Sequence, residues 1–131
     1  MKKIAAFIAS GTGMGADAAK HLSSKGYDIA IMSSSGKGEK LANDLGGLGY
    51  TGSNLIIADI REFIDKSLNK FGRIDVLVNS AGHGPKGAIL DIKDEDWIKG
   101  METYFLNVVR ASRFVTPIMM KQKNGSIINI S

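Results

Sequence analysis

A glycine-rich segment close to the start of the chain has the composition of a loop that approaches a phosphate group. Its residues are Ser10, Gly11, Thr12, Gly13, Met14 and Gly15. Glycines let the backbone turn tightly and come close to a pyrophosphate, and free N–H groups at the start of a following helix attract its charge. The dinucleotide fingerprint fits in two registers, one running from Gly11 to Ala16 and one starting two residues later. The segment therefore predicts a phosphate site, and a P-loop is excluded because no Gly-Lys-Ser/Thr ends it.

Three consecutive serines, Ser33, Ser34 and Ser35, follow the next apolar run. In an NAD site, an acid about 20 residues past the glycines commonly holds the ribose 2′-hydroxyl. Here hydroxyl groups stand in that place, with Lys37 nearby and Glu39 only after the expected turn. A carboxylate repels a 2′-phosphate, whereas hydroxyls and an ammonium group bind one. The pattern therefore favours NADP, with NAD as the alternative.

Short apolar runs and amphipathic stretches alternate around these residues. The runs are continuous, which predicts parallel strands buried on both faces, over residues 4–9, 29–32, 55–58 and 76–78. Helices are predicted over 15–25, 38–45 and 61–71, each ending near a glycine. Strand and helix in this rhythm require right-handed crossovers. The predicted fold class is α/β, a doubly wound, Rossmann-like parallel sheet in three αβα layers.

Polar residues follow the third and fourth predicted strands. The third ends in Ala58-Asp59-Ile60, and the fourth leads from Asp75 through Asn79 to Gly82. Ligands of open parallel sheets bind outside the carboxyl ends of the strands. Asn79 and Gly82 are therefore expected beside a cofactor.

The second half of the chain predicts a long helical region from an N-cap at Asp94 to about residue 123. Beyond Asn107 this helix is apolar on more than one side, although covering a sheet needs only one apolar stripe. The second stripe is expected to be covered by more of the same chain or by another subunit, which favours a homo-oligomer, a dimer or tetramer. Residues 125–131 predict a fifth strand, in which Ile127 and Ile128 suggest burial on both faces. Such a strand belongs inside a sheet, so we expect a fold truncated after its fifth strand.

In order along the chain, these motifs resemble the short-chain dehydrogenase/reductase family, and 3-oxoacyl-acyl-carrier-protein reductases in particular. The family's Thr-Gly-x-x-x-Gly-x-Gly falls on residues 8–15, where Ile8 and Ala9 replace the opening Thr-Gly and Gly11 is expected to supply the lost flexibility. The other matches are an Asn-Asn-Ala-Gly motif at Asn79, Ser80, Ala81 and Gly82, an adenine contact at Asp59 beside Ile60, a helix asparagine at Asn107, and a strand ending in Asn-Ile-Ser at Asn129, Ile130 and Ser131. The segment between Asp59 and Phe71 looks short for the family, which predicts a trimmed helix.

The resemblance implies hydride transfer between a nicotinamide cofactor and a small-molecule carbonyl or alcohol. In such enzymes a tyrosine is the acid/base, a lysine lowers its pKa, a serine orients the substrate and an asparagine holds a relay water. Asn107 is the matching asparagine, and Ser131 is at best the residue before the serine. None of Tyr27, Tyr50 and Tyr104 is followed four residues later by lysine. The 131 residues thus predict a cofactor half-site that is inactive alone.

Two other classes of function are alternatives to the reductase. The first is a non-catalytic dinucleotide-binding fragment or regulator, which the sequence does not separate from the enzyme. The second is a methyltransferase, which tends to need an acid where Ser33, Ser34 and Ser35 stand.

Length and composition limit the remaining possibilities. With 131 residues, 44% of them hydrophobic, residues 1–131 form one domain. The net charge of +4 is scattered, so no nucleic-acid surface is expected. The first apolar run is too short for a secretory signal, and no run approaches membrane-spanning length. No cysteine is present and no histidine lies among the acids near residue 94, so no metal site is expected, and a cytoplasmic location is compatible.

Overall fold

The computed structural model describes residues 1–80 and 84–131. Strands and helices alternate along the described chain, as expected for the α/β class. In chain order they are β1 (Ile4–Ile8), α1 (Gly13–Ser24), β2 (Asp28–Ser33), α2 (Gly36–Asp44), β3 (Leu48–Thr51), α3 (Ile57–Phe71), β4 (Val76–Asn79), α4 (Asp94–Met101), a π-helical turn (Glu102–Leu106), α5 (Asn107–Gln122) and β5 (Ser126–Asn129). No helix in these two ranges is long and apolar enough to cross a bilayer.

All the strand pairs of the sheet are parallel, and the order across the sheet is β3-β2-β1-β4-β5. The central strand β1 lies between β2 and β4, which places Ile8 beside both Met32 and Asn79. The chain moves outward from β1 in one direction and then in the other. A doubly wound, Rossmann-like sheet is therefore confirmed, and its strand order reverses at the carboxyl end of β1.

Helices cover both faces of the sheet, which explains why its inner strands read as continuous apolar runs. On one face Ala6 and Ile8 of β1 pack with residues of α3 and α5 such as Phe63 and Val115. On the other face Ala5, Phe7 and neighbouring strand residues pack against α1 and α2. The described residues therefore form the three expected αβα layers.

The predicted third strand at residues 55–58 is wrong. The strand is β3, Leu48–Thr51, which lies between two glycine-containing turns and pairs with β2. Leu55, Ile56 and Ile57 are about half exposed and lead into α3. Their apolar run imitates a buried strand, but the burial of Ile60, Phe63 and Ile64 follows the helical period instead.

The error about β3 also changes two predicted cofactor contacts. Asp59 lies in the first turn of α3, where its carboxylate accepts the Ser53 N–H at 2.8 Å, and Ile60 is fully buried in the core. Neither residue follows a strand, so the strand-based reason for placing them at a cofactor is lost. Helix α3 has 15 residues and begins two residues before Asp59, and the trimming expected from the family resemblance stays a prediction.

The C-terminal half departs from the prediction at three points. The N-cap of α4 is Lys93, with Asp94 as the first helical residue, and the long helix contains the π-helical turn. Strand β5 pairs with β4 only. Ile127 and Ile128 are 38% and 48% exposed on this edge strand, so residues 1–131 by themselves do not bury both faces of β5.

The amino-terminal edge of the sheet is fastened by one carboxylate, Asp75, whose side chain is 2% exposed. Its Oδ2 accepts the Ile4 N–H at 2.9 Å and the Arg73 Nε–H at 2.8 Å, and Asn124 donates to Oδ1 at 3.4 Å. Burial raises the pKa of Asp75, but the hydrogen bonds from Arg73, Ile4 and Asn124 outweigh it, so the net pKa is lowered. Asp75 thereby ties β1 and β4 to the segment that precedes β5.

We expect Asp75→Asn to lower the free energy of unfolding by about 2–4 kcal/mol at neutral pH, because charge-assisted hydrogen bonds to a buried group are lost. A lowered folded-state pKa stabilises the fold above the unfolded carboxyl pKa, and this contribution disappears as the pH falls through the folded value. Urea titrations at several pH values should show the gap between the two proteins closing below about pH 4. A gap of constant size down to pH 2 would contradict this account.

Candidate functional site

The carboxyl ends of β1, β2 and β4 bring separate polar segments of the sequence to one edge of the sheet. Ser10 follows β1, Ser33 ends β2 and Asn79 ends β4, and all three residues are buried. The Ser80 N–H donates to the Ile8 carbonyl at 3.0 Å, which continues the β1–β4 pairing to the edge. This is the switch point at which ligands of doubly wound sheets bind.

The glycine-rich segment forms the turn between β1 and α1. Thr12 is the N-cap of α1, with extended backbone and no side-chain cap, and no acid lies in the first helical turn. The first N–H groups of α1 therefore keep their capacity to bind an anion. A Cβ at Gly15 would lie 2.5 Å from Ser10 Oγ and 3.0 Å from Ser80 Cβ, so only glycine lets α1 start this close to β1 and β4.

Ala9 takes the conformation that glycine favours at the start of this turn. Its φ is +59°, in the left-handed region, where a side chain costs energy. The expectation that Gly11 compensates for Ala9 is therefore wrong, because Ala9 adopts the required backbone conformation itself. Gly11 has a packing role, since a Cβ there would lie 3.0 Å from Ser33 Oγ.

Ser33 connects the turn after β1 to helix α2. Its hydroxyl donates to the Ser35 carbonyl at 2.6 Å and accepts the Gly38 N–H at 3.0 Å. A Cβ at Gly38 would lie 2.5 Å from the same Oγ. The Ser33 hydroxyl is thus engaged within the protein, whereas Ser34 and Ser35 are exposed at the mouth of the site.

Two cavities meet at Gly11 and Thr12. The smaller cavity, of about 160 Å³, lies between the ends of β1, β2 and β3 and is also lined by the three serines, Gly52 and Asn54. Sequence reasoning missed Gly52 and Asn54 because the third strand was misplaced. The cluster Gly52-Ser53-Asn54 after Tyr50-Thr51 is a turn signal that could have located them.

The larger cavity, of about 410 Å³, runs between α1 and α2. Lys20, Lys37 and Lys40 line it together with Asp17 and Asp44. Lys20 pairs with Asp17 at 3.6 Å, so its charge is partly neutralised. Lys37, at the start of α2, is the lysine nearest in sequence to the exposed serines and gives this end of the site a positive charge.

Two buried asparagines, Asn79 at the end of β4 and Asn107 at the start of α5, lie on the β4 side of the site. Asn79 Nδ2 donates to Asn129 Oδ1 at 2.9 Å, which joins β4 to β5. Asn79 Oδ1 and both side-chain atoms of Asn107 are buried and have no hydrogen-bond partner among the described residues. A buried polar atom without a partner is costly, so these atoms fit hydrogen bonds to a ligand or water. The predicted contacts at Ala81 and Gly82 lie outside the described residues.

Asn107 is positioned by the π-helical turn that precedes it. Such turns are uncommon and occur frequently at functional sites. Eight residues of α-helix would leave Glu102 and Arg110 roughly 80° apart around the axis, and the wider turn changes this offset. The Glu102 carboxylate and the Arg110 guanidinium group pair at 2.8 Å, which links the first residue of the turn to the start of α5.

Tyr50 does not supply the acid/base that the resemblance requires. It lies on β3, and its hydroxyl donates to Glu62 Oε2 at 3.0 Å. Burial, this hydrogen bond and the charges of Glu62 and Asp59 raise the pKa of Tyr50 to about 12. A general acid or base works best with a pKa near the operating pH.

The described residues also contain no group of three or more His, Cys, Asp or Glu side chains that could hold a metal ion.

A family model described as short chain dehydrogenase matches residues 3–131. The match covers the whole sheet, the glycine-rich turn and the buried asparagines Asn79 and Asn107. The chain therefore belongs to the short chain dehydrogenase family.

The curated relatives include several enzymes with one name. The 3-oxoacyl-[acyl-carrier-protein] reductase FabG of Haemophilus influenzae is 37% identical over 133 residues, which cover 98% of this chain and 54% of the relative. FabG of Escherichia coli is 32% identical with the same coverage. The chain thus spans about half the length of these relatives.

Solved structures give the same picture of the fold. A variant of actinorhodin polyketide ketoreductase with NADPH superposes with a TM-score of 0.90 at 25% identity, covering 99% of this chain and 53% of that one. ElxO with NADP bound superposes with a TM-score of 0.89 at 29% identity, covering 100% and 56%.

The conformation of Ala9 gives a test of the glycine-rich turn. We expect Ala9→Gly to leave the free energy of unfolding unchanged or to raise it by up to about 1 kcal/mol, because relief of the left-handed strain offsets the lost methyl group and the entropy of glycine. The control Ala18→Gly, inside α1, should lower it by about 1 kcal/mol. Urea unfolding of both variants measures this difference. An equal loss in the two variants would show that Ala9 is not strained.

Proposed function

We propose that this protein is the cofactor-binding part of an NADP(H)-dependent oxidoreductase that acts on a carbonyl or alcohol substrate. The observation that carries the proposal is the glycine-only contact of Gly15 with Ser10 and Ser80 at the switch point of the sheet. This contact leaves the uncapped start of α1 facing the place where a pyrophosphate would lie. Family membership and the reductase relatives support the same reading.

In this proposal a dinucleotide would lie across the carboxyl ends of β1, β2 and β4. The turn from Gly11 to Gly15 would hold the pyrophosphate, and the small cavity beside Gly52 and Asn54 would receive the adenosine end. Asn79 Oδ1, which has no partner among the described residues, would face the nicotinamide end. Contacts at Ala81 and Gly82 stay predictions of the sequence. When bound, the cofactor supplies or accepts the hydride. The residues of this chain orient it and leave the ends of β4 and β5 for the substrate.

The preference for NADP over NAD is proposed from the exposed hydroxyls and the charge at the end of β2. Ser33 is engaged by Gly38 and Ser35, so its role is to position this turn. Ser35 is the N-cap of α2, and its Oγ accepts the Lys37 N–H at 3.4 Å, which leaves its hydroxyl hydrogen to donate. The exposed hydroxyls of Ser34 and Ser35 and the ammonium group of Lys37 would receive a 2′-phosphate. Met14 is 67% exposed and Thr12 is also exposed, so both can border the phosphates.

The catalytic roles of Asn107 and Ser131 are proposed from the family resemblance. Both side-chain amide atoms of Asn107 lack partners among residues 1–80 and 84–131, which fits an asparagine that holds a relay water. Ser131 lies two residues beyond β5 at the same edge. Because no tyrosine in the chain is followed by the expected lysine, the 131 residues should bind cofactor without turnover. A non-catalytic dinucleotide-binding protein is therefore the second candidate.

Cofactor fluorescence during titration of the purified chain tests the proposal. We expect NADPH to bind at least about tenfold more tightly than NADH, because only NADPH carries the 2′-phosphate. Lys37→Glu should weaken NADPH binding about tenfold and leave NADH within twofold, whereas the control Lys25→Glu, at the far end of α1, should change neither. Equal affinity for both cofactors, unaltered by Lys37→Glu, would contradict the NADP assignment. The absence of binding by either would contradict the proposed function.

We also propose a homo-oligomer formed through α5 and the turn before it. The predicted second apolar stripe of α5 is partly covered by the chain itself, since Phe114 and Ile118 pack on the core and Arg61 lies 5.0 Å from the Phe114 ring. Phe105, however, is 51% exposed beside the start of α5. Exposed aromatic residues are common anchors of interfaces.

A cytoplasmic location of the protein stays a prediction from the sequence.

Sedimentation velocity over a range of concentrations tests this interface. We expect self-association that Phe105→Ser weakens at least about tenfold, because an aromatic anchor is removed. Leu90→Ser, which removes a 94% exposed apolar residue outside α5 and the turn before it, should leave the association unchanged. Equal effects of the two substitutions, or a monomer at every concentration, would contradict the proposal.

A further inference from the structure

A second concave surface lies apart from the glycine-rich turn, against helix α4. It is a cavity of about 450 Å³ whose walls include Trp97, Met101 and Tyr104 on one side and Gly84 and Pro85 on the other. None of the described residues that line it carries a charged side chain. The cavity is within the usual size range of small-molecule sites, which is about 300–1,000 Å³.

Helical spacing explains how one wall of this cavity forms. Trp97, Met101 and Tyr104 are separated by four and three residues, so they share one side of α4 and of the turn that continues it. Their side chains are between 44% and 51% exposed, although they are large and apolar. The helix thus presents an apolar stripe that the described chain only partly covers.

The opposite wall is held against α4 by a close backbone approach. A Cβ at Gly100 would lie 2.7 Å from Pro85 Cδ, so glycine at this position lets the segment 84–85 rest directly on the helix. A separate cavity on this segment has a charged lining that includes Lys86, Asp91 and Lys99. The Gly84-Pro85 segment therefore borders both an apolar cavity and a charged one.

The apolar cavity opens at the edge of the sheet where the cofactor is proposed to bind. Ser131 contributes to its lining and follows β5, whose Asn129 accepts a hydrogen bond from Asn79. A hydroxyl at the mouth of an apolar cavity offers one polar contact to a ligand that is otherwise apolar. This combination suits a carbonyl oxygen attached to a compact apolar group.

We propose that this cavity binds the apolar substituent of the carbonyl substrate, so that the substrate class is a ketone or aldehyde carrying an aliphatic ring or short alkyl chain. The inference rests on the proposed function, because it takes the reacting carbonyl to lie beside the nicotinamide end of the cofactor. A small molecule is favoured over a second copy of the chain because the surface is concave and walled on both sides. A charged substrate would lose its hydration here without gaining a partner.

The chain contains its own probe for this site, since Trp97 is its single tryptophan. We would titrate the protein with 4-tert-butylcyclohexanone and, separately, with acetoacetate, with saturating NADP⁺ present and following Trp97 fluorescence. The aliphatic ketone should change the fluorescence saturably, and acetoacetate should not. Met101→Lys should weaken ketone binding at least about tenfold, because it introduces an ammonium group into the apolar wall.

Leu90→Lys is the matched control, since it adds the same charge at a residue that is 94% exposed and outside the cavity lining. It should leave ketone binding within twofold. NADPH binding, read from the fluorescence of the cofactor itself, is measured for each variant and should be unchanged. The wild-type comparison of the two ligands stands alone if Met101→Lys does not fold.

The outcomes separate the inference from the proposed function. If NADPH binds but the ketone does not, or if acetoacetate binds equally well, the substrate class is wrong and the cofactor site stands. If Met101→Lys folds and binds the ketone as tightly as Leu90→Lys does, the ligand lies elsewhere and the inference is overturned. If NADPH itself does not bind, the proposed function fails, and the inference fails with it.

Discussion

The position of β1 between β2 and β4 is the constraint on which the remaining structure depends. Its residues alternate between two cores, so Ala6 and Ile8 face α3 and α5 while Ala5 and Phe7 face α1 and α2. Because the chain leaves β1 toward opposite sides, the connections diverge at its carboxyl end and leave a crevice there. The glycine-rich turn, the serines after β2 and the asparagine after β4 all border that crevice.

The polar groups at the two ends of the strands have different roles. Those at the amino ends stabilise the fold, and those at the carboxyl ends are placed to bind a ligand. At the amino-terminal edge, Asp75 has its hydrogen bonds made by Ile4, Arg73 and Asn124, and the side chain of Gln122 joins α5 to Ile74 at 2.8 and 2.9 Å. At the carboxyl edge, buried atoms of Asn79 and Asn107 lack partners among the described residues. Polar groups satisfied within the fold stabilise it, whereas groups left without partners are available to a ligand.

The sequence was sufficient for the features that depend on pattern. Continuous apolar runs located β1, β2 and β4, and the glycines located the turn at the switch point. It failed at β3 because Leu55, Ile56 and Ile57 imitate a buried strand, although only the later residues of α3 are buried. Because of that one error, the predicted adenine contact was placed at Asp59, which lies in α3, and Gly52 and Asn54 in the cavity lining were not predicted.

Other features required coordinates because they depend on contacts between distant residues. No pattern shows that Ser33 is engaged by Gly38, that Ala9 is left-handed, or that Glu102 pairs with Arg110 across a π-helical turn. The apolar wall formed by Trp97 and Met101 likewise needs the position of Pro85 to become a cavity. The spacing of residues in the sequence can predict a site. Packing decides which polar groups of that site bond within the protein and which are left to bind a ligand.

A dinucleotide is proposed to bind at the carboxyl ends of the strands. Backbone amide chemical shifts of the isotope-labelled chain, recorded with and without NADPH, locate its binding site. We expect the amides of Gly11, Gly13 and Gly15, those after Ser33 and that of Asn79 to shift together and to saturate at one concentration. The amides around Arg73 and Gln122, at the amino ends of the strands, should stay in place. Shifts centred on those amino ends, or none at saturating NADPH, would contradict dinucleotide binding at the carboxyl ends.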